Sequence, residues 1–431
     1  MTMNDRQTAP IQYGPVQGEG TVSSGLDFYK PTMSQVAFEK HQEAEVTFTF
    51  KNRGKNKLTD YVDAPELQAR LDTRRTGWNA DEIASLASLT HQDGTAIFSE
   101  DYLDYLTDNP LPAVDVTLDE DGDIAIESTG AWPMVTFWET VVMSEINELY
   151  FENMIRREEF DLFDIYDEGN RRLDKKIQIL QSRPDIQFAD FGTRRRFSYK
   201  WQNHVIGRLL EECPENFVGT SNVYLAHTFD VPPIGTFAHE MPMVYAGLAD
   251  KERRNPLDGH NEMLHDWVEA YGDNLSVALT DTFGSEYFFT DFTVEQAEHW
   301  KSLRHDSGDP IAFGDRVIEF YEENGINPLE KTIVFSDGLD IDTIVILEDT
   351  FKGRINVVFG WGTTLTNGLG LKTNNVVMKA TIVDGIQTVK LSDDAEKHTG
   401  PEDLVGRYQN HVAQVIGKQA SRYIPRELAL V

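Results

Sequence analysis

The sequence predicts an α/β protein whose second half forms a parallel barrel, and two observations support this. From about residue 182, short apolar runs alternate with amphipathic helical stretches, which is the pattern of parallel βαβ units. Nearly every run ends in polar and glycine residues. Because barrel proteins carry their sites at the carboxyl ends of the strands, we expect a site at that face.

The first half of the chain predicts a separate, smaller domain. Its clearest strand alternates as EVTFTFK, which places Val46, Phe48 and Phe50 on one face. A hairpin is indicated where Asp121 and Gly122 interrupt alternating residues. The expected elements are a strand at residues 45–51, helices within 64–106, a hairpin at 114–127, a long helix at 134–157 and a returning hairpin at 375–391.

The second half contains seven apolar runs, which we interpret as the strands of the barrel. Helices are expected between them, at residues 195–212, 261–271 and 310–324 among others. The runs lie at residues 186–195, 217–222, 234–240, 276–282, 302–309, 332–340 and 355–363.

Composition narrows the class of protein. The 431 residues include 39 Lys and Arg against 72 Asp and Glu, a net charge of −33 that disfavours nucleic-acid binding. The single cysteine, Cys213, excludes an intrachain disulfide and fits a reducing compartment. Neither a membrane-spanning run nor a signal peptide is visible, so we expect a cytoplasmic protein with no membrane contact. The expected divisions are a flexible tail at 1–20, a smaller domain at 21–150 plus 371–431, and the barrel at 151–370.

The ends of the seven runs share a chemistry suited to anionic ligands. Arginines bind anions as planar forks, and the FGWGT turn lets backbone N–H groups approach a phosphate. Aspartates at strand ends can hold ribose hydroxyls or Mg²⁺, so the set predicts a site for a phosphorylated sugar and magnesium. Its members are Arg194, Arg195, Ser221, Asn222, His239, Glu240, Asp281, Thr282, Arg304, Asp306, Ser307, Asp337, Gly360, Gly362 and Thr363.

Each member also has a purely structural interpretation. Ser307 or Asp309 suits the N-cap of a helix that begins at Pro310, and His239 alone is more often a structural histidine. Joint occurrence at seven successive strand ends nevertheless favours a functional site. Motifs of the common kinases and metalloproteases, GxxxxGK[ST] and HExxH, are absent from the sequence.

The ordered motifs resemble those of the nicotinate phosphoribosyltransferase family, with matching order and spacing from about residue 25 to 380. Each motif alone is weak, but the ordered set is specific. The motifs are DFYK at 27–30, FGTRR at 191–195, GTSNV at 219–223, GTFAHE at 235–240, LTDTF at 279–283, RHDSGD at 304–309, SDGLD at 336–340 and FGWGT at 359–363.

This resemblance implies an incomplete, irregular parallel α/β barrel beside a smaller α+β domain built from both chain ends. It also implies a reaction of nicotinate with phosphoribosyl pyrophosphate, giving nicotinate mononucleotide and pyrophosphate in NAD salvage. The family couples this reaction to ATP hydrolysis through a phosphorylated histidine, at the position of His239. The implied partners are nicotinate, phosphoribosyl pyrophosphate, ATP as co-substrate, Mg²⁺ and a second subunit of a homodimer with the active site at the interface; no tightly bound organic cofactor is implied.

The resemblance also assigns roles to single residues. Phe191 and a Tyr29 from the partner subunit sandwich the pyridine ring, and Arg194 faces its carboxylate. Nicotinamide-using relatives carry an aspartate at the position of Ser221, so the serine favours the acid. Arg304 and Asp306 are assigned to phosphate and ribose, Gly360, Gly362 and Thr363 to the 5′-phosphate, and Asp281 and Asp337 to Mg²⁺ and pyrophosphate.

Two further expectations follow, and several alternatives stay open. Glu240 is expected to orient the imidazole of His239, on adjacency alone. Arg194, Arg195, Arg196 and Arg304 are expected to make the mouth of the barrel locally positive within an acidic exterior. The alternatives left open are a nicotinamide or quinolinate phosphoribosyltransferase of the same fold, and a catalytically silent barrel that binds a phosphoribosyl group.

Overall fold

The computed structural model describes residues 16–91 and 93–422, without the side chains of residues 418–422. Most of the predicted tail at 1–20 therefore lies outside the described residues. Its last five residues form a turn, and the Tyr199 hydroxyl donates to the Gln17 carbonyl oxygen at 3.1 Å.

The smaller domain is built on a five-stranded antiparallel sheet, in the order β11-β10-β1-β3-β2. The predicted strand and both hairpins are confirmed, and Val46, Phe48 and Phe50 are buried on one face. Pairing of β10 with β1 brings the chain's end back to this domain. The strands are β1 Glu45–Asn52, β2 Val114–Leu118, β3 Ile124–Ala131, β10 Val376–Val383 and β11 Ile386–Gln387.

The second sheet is parallel and six-stranded, in the order β5-β4-β9-β8-β7-β6. In this order β5 and β6 are the two edges of the sheet, and residues 233–236 contact both of them. Ile234 donates its backbone N–H to Thr220 at 2.9 Å, and the Thr236 hydroxyl donates to the Val277 carbonyl at 3.0 Å. The sheet is therefore an incomplete barrel. Its strands are β4 Phe188–Asp190, β5 Phe217–Thr220, β6 Val277–Leu279, β7 Ser302–His305, β8 Thr332–Phe335 and β9 Asn356–Trp361.

Helices surround both sheets. In the smaller domain they are α1 Tyr29–His41, α2 Ala64–Arg74, α3 Ala80–Ala87, α4 Glu100–Asp108, α5 Trp132–Val135 and α6 Trp138–Arg157. Around the barrel they are α7 Leu162–Ser182, α8 Tyr199–Glu212, α9 Val223–Phe229, α10 Glu240–Lys251, α11 Asp258–Tyr271, α12 Ser285–Asp291, α13 Val294–His299, α14 Pro310–Glu323, α15 Ile341–Phe351 and α16 Thr363–Thr366. The last helix, α17 Glu402–Arg422, follows the smaller domain's hairpin and packs on α12.

The prediction of a strand at residues 234–240 is wrong. The run follows Pro232 and Pro233, which have no backbone N–H to give a ladder. Pairing with β5 stops at Ile234, and farther along the run the Thr236 carbonyl accepts from the Thr32 hydroxyl of α1 at 2.8 Å. Gly235 also approaches the Tyr29 backbone so closely that an added Cβ would lie 3.0 Å from its nitrogen.

The predicted helix at 134–157 is divided into α5 and α6, and the one predicted from 195 begins at Tyr199. One continuous hydrophobic core joins the two sheets, with Trp132, Trp138, Trp201 and Trp361 fully buried in it. None of the described helices combines the length and apolar content that a membrane crossing requires.

Candidate active site

His239 lies at the N-terminus of α10, facing the carboxyl ends of β6 and β7. Its Nδ1 is 2.9 Å from the Thr282 hydroxyl and its Nε2 is 2.9 Å from Asp306 Oδ2. Asp281 Oδ1 lies 3.7 Å from the same Nε2. Burial lowers the pKa of His239 to about 4, so the imidazole is neutral at pH 7 despite its two carboxylate neighbours.

Asp306 and Asp281 are ionised beside this imidazole. Burial opposes ionisation, but Arg304 and His239 hold the pKa of Asp306 well below its usual value. Burial also opposes ionisation of Asp281, but the charge of Lys390 and the hydrogen bond from Ser307 favour its charged form, and its pKa is lowered. Arg304 is fixed by a hydrogen bond of 3.1 Å to the Phe237 carbonyl. The site therefore combines a neutral histidine with two charged carboxylates.

Ser307 and Asp309, the two N-cap candidates after β7, have different roles in the structure. Asp309 is the N-cap of α14 and accepts from the backbone N–H groups of Ile311 and Ala312, so its structural interpretation is confirmed. Ser307 does not cap the helix: its hydroxyl donates to Asp281 Oδ2 at 2.5 Å. Ser307 is therefore part of the carboxylate cluster.

A segment that the sequence did not single out crosses this face of the barrel. Residues 389–397, here called the strap, run from the smaller domain's hairpin over the ends of β6, β7 and β8. Lys390 Nζ lies 3.5 Å from Asp281 Oδ2, and Lys397 Nζ lies 2.8 Å from Asp337 Oδ2. The Ser392 hydroxyl lies 3.2 Å from Asp281 Oδ2. The only signal in the sequence is the KLSD run after a hairpin, which does not reveal where that hairpin packs.

Arg194 lies in a second group of charges, beside the ring of Tyr29. Its Cζ is 5.7 Å from the Tyr29 ring centroid, and its Nε is 3.3 Å from Asp27 Oδ2. Burial opposes its charge, but Tyr29, Asp27 and Glu139 raise the pKa of the guanidinium above its usual value. The Arg194 side chain keeps 37% of its surface exposed, whereas Asp27 and Glu139 keep 2% each. A partly exposed cation backed by buried carboxylates can bind an external anion.

Ser221 belongs to the same group of contacts around Arg194. Its hydroxyl donates to Asp27 Oδ1 at 2.6 Å, and both residues are buried. Burial raises the pKa of Asp27, which Arg194 and the Ser221 hydrogen bond partly offset. An aspartate at position 221 would therefore place its carboxylate beside that of Asp27 as well as beside any ligand.

Glu240 does not orient His239, and that expectation is wrong. The Glu240 carboxylate accepts from Lys30 Nζ at 2.5 Å and from Trp132 Nε1 at 2.6 Å. Lys30 also pairs with Glu139 at 2.6 Å. The α10 helix turns Glu240 away from the imidazole toward α1, and Thr282 and Asp306 orient the ring instead.

The expected arginine cluster at the mouth is wrong in one member. Arg196 is buried, with Nε 2.7 Å from Glu148 Oε1, and its pairing is structural. Arg195 donates to the Val376 carbonyl at 2.9 and 3.1 Å, and burial lowers its pKa to about 10. Lys379 is a further cation that the sequence did not identify, 3.9 Å from Glu139 Oε1.

The glycine-rich turn follows β9 and packs on the Phe191 segment. A Cβ on Gly360 would lie 2.5 Å from the Phe191 ring, so only glycine fits there without displacing it. The Gly362 backbone precedes Thr363, the first residue of α16, and the Thr366 hydroxyl donates to the Gly192 carbonyl at 2.9 Å. Lys176 donates to the Thr364 carbonyl behind the turn. The turn is thus held against the segment that carries Arg194.

The carboxylates fit a hard divalent cation. His239, Asp281 and Asp306 each offer a ligand atom, and these atoms lie within 4.8 Å of one another. Asp281 Oδ1 is buried and has no hydrogen-bond partner among the described residues, as expected for an oxygen left to an ion. Asp337, the other predicted magnesium ligand, is held by Lys397 and is not part of this group.

Tyr29 and Phe191 do not form a ring pair within the described part of one chain. Tyr29 contacts Arg194 of its own chain, and Phe191 contacts Gly360. Because Tyr29 and Arg194 lie together, a partner subunit that supplied the tyrosine would supply the arginine with it.

Comparisons with known proteins show which family and which solved structures this chain is similar to. A sequence model of the nicotinate phosphoribosyltransferase (NAPRTase) family matches residues 186–414, and a model of that family's N-terminal domain matches residues 26–147. The nicotinate phosphoribosyltransferase structure from Porphyromonas gingivalis is 28% identical, with a TM-score of 0.77 over 91% of this chain and 99% of that chain. The one from Vibrio cholerae is also 28% identical, with a TM-score of 0.79 over 93% and 96%. A putative nicotinate phosphoribosyltransferase from Saccharomyces cerevisiae, at 24% identity and a TM-score of 0.76 over 91% and 97%, shares the fold.

Proposed function

Since this chain belongs to the nicotinate phosphoribosyltransferase family, we propose that it joins nicotinate to phosphoribosyl pyrophosphate, with ATP hydrolysis coupled to the reaction. The products are nicotinate mononucleotide and pyrophosphate, with ADP and phosphate from ATP. The observation that carries the proposal is that a partly exposed arginine and a neutral histidine beside two carboxylates lie at one face of the barrel.

Recognition of the pyridine is assigned to the Arg194 group. A carboxylate on the ring can accept from the Arg194 guanidinium, whose Nε is already directed by Asp27 at 3.3 Å. Tyr29 and Phe191 supply aromatic faces, which fix the ring plane so that the pyridine nitrogen meets the anomeric carbon. Nicotinamide carries no charge and gains less from this arginine, so the acid is the preferred substrate.

The phosphoribosyl group is assigned to the end of β9 and to β7. Backbone N–H groups around Gly360, Gly362 and Thr363 receive the 5′-phosphate. Arg304 and Asp306 contact phosphate and ribose. The pyridine nitrogen bonds to the anomeric carbon while the bond from that carbon to the pyrophosphate oxygen breaks, so positive charge develops on the sugar and positioning dominates catalysis.

Mg²⁺ fits the carboxylates at this face, and it neutralises the charge of the departing pyrophosphate when bound. Asp281 and Asp306 are the residues that would hold it, with Asp337 farther along the same edge. ATP phosphorylates His239: a ring nitrogen bonds to the γ-phosphorus as ADP leaves, and water later removes the phosphate. A pKa of about 4 leaves the imidazole neutral and nucleophilic at physiological pH.

We also propose a homodimer in which each site takes residues from both subunits. Two variants that are each expected to lack ATP-stimulated activity test this sharing. A Tyr29→Ala chain and a His239→Asn chain are unfolded together and refolded, so that mixed dimers form. Activity returns in the mixture if Tyr29 serves the partner's site, and stays absent if each site is complete within one chain.

The reaction itself is tested by incubating the protein with phosphoribosyl pyrophosphate, Mg²⁺ and nicotinate, and by measuring the mononucleotide by chromatography. ATP is expected to stimulate the rate and to label the protein with acid-labile phosphate. His239→Asn is expected to abolish both the label and the stimulation, whereas His265→Asn, an exposed histidine, changes neither. A wild-type protein that makes no mononucleotide contradicts the proposal, and a labelled His239→Asn variant contradicts the assignment of the phosphate acceptor.

A further inference from the structure

Ser392 has an unusual backbone at the centre of the strap. Its φ is 62°, in the left-handed region that residues other than glycine rarely adopt. Its side chain is nevertheless not solvent-facing, because the residue keeps only 7% of its surface exposed. Strained residues of this kind persist where the surrounding structure fixes them and are frequent at functional sites.

The strained backbone directs the Ser392 hydroxyl at the carboxylate cluster. Its Oγ lies 2.8 Å from Ser307 Oγ and 3.2 Å from Asp281 Oδ2. Ser307 in turn donates to the same Oδ2 at 2.5 Å, and the backbone N–H of Asp393 donates to Ser307 Oγ at 3.1 Å. Asp281 Oδ2 is therefore held from two sides, by the barrel and by the strap.

This arrangement leaves the two oxygens of Asp281 with different roles. Oδ2 takes the hydroxyl groups, while Oδ1 has no hydrogen-bond partner among the described residues and lies 3.7 Å from His239 Nε2. Resting on the proposed function, we propose that Ser392 is a positioning residue for Asp281. It fixes the carboxylate so that Oδ1 faces the imidazole that accepts phosphate from ATP.

The fold of the strap does not depend on this hydroxyl. Leu391 donates its backbone N–H to the Thr282 carbonyl at 2.8 Å. Asp393 accepts from the backbone N–H and the hydroxyl of Ser285 at 2.7 and 2.5 Å, at the start of α12. These anchors flank Ser392 on both sides. Removal of its hydroxyl therefore perturbs Asp281 and leaves the attachment of the strap in place.

Two substitutions at one position separate positioning from stability. Ser392→Ala removes the hydroxyl and keeps the strain, whereas Ser392→Gly removes both and relieves the positive φ. We expect kcat in the presence of ATP to fall about tenfold in both variants, as an unsupported catalytic carboxylate loses its geometry. The KM for nicotinate is expected to stay within about twofold, since Arg194 belongs to a separate group of contacts. The level of phosphohistidine, measured by intact mass, is expected to fall in both variants. The melting temperature of Ser392→Gly is expected to be at least that of Ser392→Ala.

The controls lie on either side of the contact. Ser307→Ala, which removes the barrel's hydroxyl from the same oxygen, is expected to repeat the kcat loss. Ser285→Ala, which loosens the strap's anchor without touching Asp281, is expected to lower the melting temperature more than kcat. The inference is overturned if both Ser392 variants keep the wild-type kcat and the wild-type level of phosphohistidine. It is also overturned if Ser392→Gly, which relieves the strain, regains the wild-type kcat, because stability would then explain the loss in Ser392→Ala. A wild-type protein without turnover overturns the proposed function instead, before any variant is compared.

Discussion

Replacing Ser221 by aspartate tests the pyridine site most severely. The resemblance suggests a simple change of preference toward nicotinamide, because amide-using relatives carry aspartate at this position. The structure predicts a different result. The Ser221 hydroxyl is 2.6 Å from Asp27 Oδ1, and both residues are buried, so Ser221→Asp places two carboxylates together.

The size of the penalty follows from that distance. Two unit charges about 3 Å apart repel by roughly 5 kcal/mol at an effective dielectric constant of about 20. The pair avoids this by binding a proton, which at pH 7.5 costs about 5 kcal/mol for a group with a pKa near 4, and at pH 5 only about 1.5 kcal/mol. Because the carboxyl pair of the folded variant has a raised pKa, the variant keeps its stability at low pH and loses it as the pH rises. Ser221→Asp should melt about 10 °C below wild type at pH 7.5 and much closer to it at pH 5.

The assay combines thermal melts at the two pH values with turnover of each pyridine. Ser221→Ala is the matched control, since it loses the hydrogen bond to Asp27 without adding charge. Asp27→Asn combined with Ser221→Asp restores a single carboxylate and should recover most of the stability at pH 7.5. A single Ser221→Asp variant that is as stable as wild type at pH 7.5 and turns over nicotinamide would show that the two carboxylates do not repel as expected.

Two further predictions concern the glycine turn and Lys379. Gly360→Ala adds a Cβ 2.5 Å from the Phe191 ring, so we expect the KM for nicotinate to rise about tenfold. Gly406→Ala, on an open helix surface, is the neutral control. An unchanged KM in Gly360→Ala would contradict the tight fit. Burial lowers the pKa of Lys379 to about 8, so the charge that faces Glu139 is present below this pH and lost above it. Turnover should therefore decline above about pH 8, and Lys379→Arg should move the decline to higher pH; an identical pH profile in the variant would exclude Lys379 as its source.

Much of the barrel and its site could be predicted because both depend on local pattern. Alternating apolar residues identified the strand at Val46, and polar residues after β6 and β7 identified Asp281 and Asp306. A parallel sheet brings such strand ends to one edge, so the sequence spacing sufficed to group them with Arg304.

The remaining features depend on contacts between distant parts of the chain. Residues 234–240 have the composition of a strand, but contacts with α1 decide their course. Adjacency suggested that Glu240 serves His239, whereas the turn of α10 gives it to Lys30. The strap was missed because its lysines and Ser392 become site residues only when the returning hairpin packs beside β1. The magnesium, ATP and dimer assignments remain predictions.

Competition between the two pyridines tests whether Arg194 makes this face a site for an acidic pyridine. Nicotinate and nicotinamide are supplied together at equal concentration with phosphoribosyl pyrophosphate, Mg²⁺ and ATP, and the two mononucleotides are separated. We expect the acid product to predominate by at least about a hundredfold in wild type, because its contact with Arg194 is charge-assisted. Arg194→Gln is expected to reduce the ratio by tenfold or more. Equal yields of both products from the wild-type protein, or an undiminished ratio in Arg194→Gln, would contradict it.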